Sequence, residues 1–99
     1  MKTPAIDSSL LILVSLANGV KHGWAIVSDV KNFAGLHLPQ ATLYAALARL
    51  ESQDMILRMP GEGKRRPYAI TAAGRKTLWS EMTLMRQLTN VGGNRLQSD

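Results

Sequence analysis

The sequence predicts a mainly α fold with one small β-hairpin, an α+β arrangement in a single domain. Three observations lead there. Apolar residues recur at three- and four-residue spacing in separate stretches, as amphipathic helices require. The block Pro60-Gly61-Glu62-Gly63 divides two short β-prone runs, as a turn would. Ninety-nine residues, 45% of them apolar, suffice for one core and are too few for two.

The first helix follows Asp7, in the run SSLLILVSLANG. The apolar segment Leu10 to Leu16 is far too short to span a bilayer and lacks the flanks of a secretory signal. It reads as a helix buried on several sides, in part against a second subunit. Asp7 or Ser8 caps its start through a side-chain oxygen, and Gly19 ends it. A second helix spans about Gly23 to Ala34, with Trp24, Ile26, Val27, Val30 and Phe33 as its apolar residues and Gly35 as its stop. After the brief linker Leu36-His37-Leu38-Pro39 comes a third helix. In it Leu43, Ala46, Leu47 and Leu50 form one apolar stripe. The opposite face holds Ala41, Tyr44, Ala45, Ala48 and Arg49, flanked by Gln40 and Thr42. Such a face is small enough to approach a partner closely, and polar enough to bond phosphates and base edges.

Ile56-Leu57-Arg58-Met59 and Pro67-Tyr68-Ala69-Ile70 read as the two strands of the hairpin, with Lys64-Arg65-Arg66 on its flank. Proline donates no ladder hydrogen bond, so the returning strand must start after Pro67 or pair by its other edge. Thr71 caps a last helix from about Ala72 to Leu88, in which Gly74 is a local weakness. Leu78, Met82, Met85 and Leu88 lie along one side of it with Trp79 beside them, more apolar surface than a small core needs. A second copy of the chain is the expected cover. The remainder, 91–99, is glycine-rich and polar and is expected to be a flexible tail. Helix, helix, turn, helix, strand, loop, strand, helix is a winged helix-turn-helix plan. Residues 1–71 would form the DNA-binding region and 72–90 a dimerisation helix of the same domain.

Composition narrows the partner. The net charge is +5 and the pI about 10.1, which favours polyanions. Between Arg58 and Lys76, six cations stand against Glu62 alone, so the whole excess of +5 sits in and beside the hairpin. Cations there gain energy by displacing the counterions condensed on DNA. The absence of cysteine removes disulfides and thiolate chemistry, and it fits a reducing cytoplasm. His22 and His37 have no carboxylate or thiol pattern around them, so no metal site and no cofactor are expected. No nucleophile, base and acid set marks an enzyme.

The chain resembles the PadR-type family of bacterial transcriptional regulators, from about Leu11 to Leu88. The likeness is carried by His22-Gly23-Trp24 with Ile26, where the family favours His-Gly-Tyr. It is carried also by Thr42-Leu43-Tyr44, Ala46-Leu47 and Arg49-Leu50-Glu51 in the recognition helix. Arg65, Tyr68, Ile70-Thr71 and Gly74 match the family's wing and the start of its last helix. There are departures. Pro39-Gln40-Ala41 replaces Ser-Pro-Gly, which removes a capping hydroxyl and offers Gln40 as a sequence-specific contact. Ala45 replaces a common proline, which should leave the helix straighter, and Pro67 stands where an aromatic is usual.

The resemblance implies a dimeric, cytoplasmic, nucleoid-associated repressor on a pseudo-palindromic operator of double-stranded DNA. Gln40, Ala41 and Thr42 would meet bases. Tyr44 would bond a phosphate through its hydroxyl, or else pack its ring on the second helix. Arg49 would reach phosphate or pair with Glu51 or Asp54. Lys64, Arg65 and Arg66 would hold the wing to phosphates or enter a minor groove. Leu78, Trp79, Met82, Met85 and Leu88 would form the dimer interface. Trp24, Trp79, Met82 and Met85 are a candidate pocket between subunits for a small aromatic or hydrophobic effector. The other reading is a winged-helix adaptor that grips a protein and binds no DNA; such an adaptor has no need of a basic wing.

Overall fold

The computed structural model describes residues 7–61, 63 and 65–98. Four helices and two strands follow in order: α1 (Ser8–Leu16), α2 (Gly23–Ala34), α3 (Gln40–Ser52), β1 (Ile56–Arg58), β2 (Tyr68–Ile70) and α4 (Ala72–Gln97). The architecture is mainly helical with one antiparallel hairpin, as the sequence predicts.

Local chemistry sets most of the boundaries. The Asp7 carboxylate accepts the amide of Ser9 and caps α1. α1 ends at Ala17, whose N–H bonds the Val14 carbonyl, so Gly19 lies in the following turn and is not itself the cap. Gly35 closes α2 in the left-handed region, at φ 67° and ψ 19°. α3 starts from Pro39 with no side-chain cap, as the missing hydroxyl implies. The Thr71 hydroxyl accepts the amide of Gly74 at 3.0 Å and donates to the Asp54 carbonyl at 2.7 Å, tying the start of α4 to the end of α3.

The core forms where the apolar stripes converge. Ile12, Leu16, Ile26, Val30, Leu47, Leu50 and Ile56 are fully buried, with Leu38 plugging the turn between α2 and α3. α1 is the hub, packing against α2, α3, α4 and β2 within its own chain. Its buried Ser15 donates to Asp29 on α2 at 2.7 Å. The Lys21 ammonium joins the same cluster, bonding the Ser15 carbonyl and Asn18 and lying 3.9 Å from Asp29. The predicted stripe of α3 is the buried one: Leu43, Ala46, Leu47 and Leu50.

The hairpin pairs Ile56 with Ile70, Leu57 with Ala69 and Arg58 with Tyr68. β2 begins just after Pro67, and the Pro67 carbonyl accepts the Met59 amide at 2.7 Å. The Tyr68 amide bonds the Lys21 carbonyl on the opposite edge at 2.8 Å. Both of proline's permitted solutions are therefore used at once.

α4 departs from expectation in three ways. It runs to Gln97, through the segment expected to be a loose tail. Glycine lowers helix propensity but blocks no backbone hydrogen bond, so a helix already nucleated on the core propagates through Gly92-Gly93. Arg95 in the last turn also complements the helix dipole. Next, Gly74 is buried and required: a Cβ there would lie 2.2 Å from the Met55 carbonyl oxygen. Finally, Leu78 is 5% exposed and belongs to its own chain's core, so it is removed from the expected dimer interface. Beyond Met82, which packs against that core, α4 leaves the body and gives the molecule its length of 59 Å.

Candidate nucleic-acid interface

α2, the turn 35–39 and α3 form a helix-turn-helix, and the hairpin is its wing. Burial of the apolar stripe of α3 leaves Gln40, Ala41, Thr42, Tyr44, Ala45 and Ala48 exposed, as expected. With no side-chain cap at Pro39, the first-turn amides of α3 are open to an anion. Tyr44 is half-exposed. Its hydroxyl lies over Gly23, 3.4 Å from where a Cβ would stand, so the ring both packs on α2 and shows an edge to solvent.

One cleft gathers three elements. His22, at the N-cap of α2, lines it with Gly23 and Trp24 of α2, Tyr44 of α3, and Arg58, Arg65, Arg66 and Tyr68 of the hairpin. The Arg66 guanidinium donates to the Met59 and Arg58 carbonyls, at 3.1 and 3.4 Å, so it braces the hairpin across its width. The rest of its planar fork still faces the cleft. The Arg58 guanidinium sits 5.9 Å from the centre of the Tyr68 ring, a cation–π contact. In the sequence Arg58 stands out only through the charge excess; its place opposite Tyr68 across the strands is the signal that marks it. Arg65 is exposed. Lys64, the other expected wing contact, lies outside the described residues.

One expectation is corrected by the geometry. Arg49 donates through Nη2 to the Ser9 hydroxyl at 2.8 Å and lines a cleft with Asp7 and Glu81. It is a strut from α3 to α1, away from Gln40 and the wing, and it pairs with neither Glu51 nor Asp54. The effector pocket is expected between two subunits, and within the single chain its residues lie apart. Trp24 lies beside Tyr44 and Gln40, whereas Trp79, Met82 and Met85 are on α4. No described cleft brings Trp24 together with Trp79.

The Transcriptional regulator PadR-like family matches residues 12–80. The chain belongs to this PadR-like family. Solved PadR-like folds superpose on it closely. A transcriptional regulator from Clostridium thermocellum shares 27% identity, covering 88% of this chain and 90% of its own, with a TM-score of 0.77. A PadR family regulator from Eggerthella lenta shares 26%, covering 92% and 82%, with a TM-score of 0.81. An uncharacterized 37.1 kDa protein in transposon TN4556 of Streptomyces fradiae is 37% identical over 83 residues; the chain spans only 24% of that protein's length. The PadR-like family and these structural neighbours are transcriptional regulators, not enzymes. Among the described residues, no helix is long and apolar enough to cross a membrane.

Proposed function

We propose that this PadR-like protein is a homodimeric repressor that binds a pseudo-palindromic operator in duplex DNA. The observation that carries the reading is the shared cleft: Tyr44, from the exposed face of α3, and the arginines of the wing border one groove, together with the start of α2. Gln40, Ala41 and Thr42 enter the major groove and meet base edges. Tyr44, Arg65 and Arg66 bond phosphates on either side, and Arg58 adds charge behind them.

The dimer half of the reading rests on α4. Trp79, Leu84, Met85, Leu88 and Val91 are exposed on a helix that extends beyond the body. A second copy laid along that helix covers this surface and repeats the helix-turn-helix about a two-fold axis. A flat aromatic effector would enter between the copies beside Trp79 and Met85 and loosen the spacing of the two recognition helices. Such a repressor works in the cytoplasm, on the nucleoid.

Mobility shift with fragments of the adjacent promoter, repeated at rising salt, tests the reading. Retarded two-chain complexes that weaken steeply with salt are expected. A chain that shifts no duplex at low ionic strength, yet captures a protein partner through α4, is an adaptor.

A further inference from the structure

We propose that Trp24 is itself a DNA contact, seating one strand of the duplex between the start of α3 and the wing. The proposal rests on the DNA-binding reading above and adds a residue on α2. Trp24 is 72% exposed, although it lies in the first turn of a helix whose Ile26 and Val30 are fully buried. Tryptophan is highly buried on average, so a ring this open on a folded body points to a partner.

Its position says which partner. Trp24 and Tyr44 together border two adjoining clefts. One is apolar and runs past Val27 and Leu43 to Gln40 at the start of α3. The other is cationic and holds Arg58, Arg65 and Arg66. The indole borders both the cleft that holds Gln40 and the cleft that holds Arg65, which sets it between the two expected contacts. No residue of α4 lines either cleft, so the ring lies apart from the helix offered for dimerisation.

The chemistry fits the sugar-phosphate strand. The indole face covers the apolar side of a deoxyribose, and its Nε1–H, a donor only, suits a phosphate oxygen. The contact adds no charge. It therefore contributes affinity to every sequence alike and releases no counterion, which separates it from the arginines.

The test is a salt series with sonicated duplex DNA, comparing the native chain with Trp24→Ala and Trp24→Phe. Trp24→Ala should weaken binding about tenfold at each salt concentration and leave the log–log salt slope unchanged. The chain has two tryptophans, so emission from Trp24→Phe reports Trp79 alone. At saturating DNA, the native chain should show an emission change and protection from acrylamide that Trp24→Phe lacks. Full affinity in Trp24→Ala, or identical emission changes in the two proteins, would overturn the contact while the DNA-binding reading stood. A shift in sedimentation of Trp24→Ala would assign the ring to a protein contact and overturn it too. If the native chain binds no duplex, both readings fail together.

Discussion

Gly74 shows what a single side chain would do to this fold. The sequence marks it as a weak point in a helix, because local propensity treats glycine as a cost. The structure puts it where α4 passes the Met55 carbonyl and the Ile70 side chain. Gly74→Ala should therefore destabilise the protein by about 1–3 kcal/mol, the usual range for overpacking, despite raising helix propensity; urea unfolding measures it. Arg65 carries a separate prediction. Arg65→Ala should weaken binding to all duplexes and lower the salt slope by about one unit. Gln40→Ala should instead change which sequences are preferred, read by competition among duplexes. At this scale the caps Asp7, Gly35 and Thr71 were legible because each acts on backbone a few residues away. The Arg49 to Ser9 bond was not, since forty residues separate the partners in sequence and only packing brings them together.

Among the elements, α4 divides into a part that belongs to the body and a part that leaves it. Leu78 marks the first and Leu88, 61% exposed, the second. Leu78→Ala should cost about 2–5 kcal/mol of stability, as buried leucine truncations do. Leu88→Asp should leave the unfolding of the body nearly unchanged and convert two-chain to one-chain mass in sedimentation. A dimer that survives Leu88→Asp would move the interface elsewhere. Helical periodicity in the sequence groups Leu78 with Met85 and Leu88, because one stripe can be buried by two different surfaces along its length. Nothing in the spacing says where the core ends. The same limit hid the end of α4. A glycine pair and polar residues resemble a tail, yet a helix already formed continues through them. The α3 stripe and the hairpin are legible in the sequence, since there the apolar pattern and the turn residues agree with the packing that results.

For the whole molecule, basic charge gathers at the wing beside the exposed Trp24 and Tyr44, and another exposed apolar surface lies along the outer part of α4. One surface suits DNA and the other suits a second copy, so the two requirements do not compete for the same residues. A two-fold pair would present two copies of α3 with a fixed separation, and the separation selects the spacing of half-sites. Selection of bound duplexes from a random library, followed by sequencing, tests that claim most directly. The expected product is an inverted repeat whose half-sites are centred about 10 base pairs apart, or a multiple of that. Enrichment of a single unrepeated motif, or of no motif at all, would contradict it.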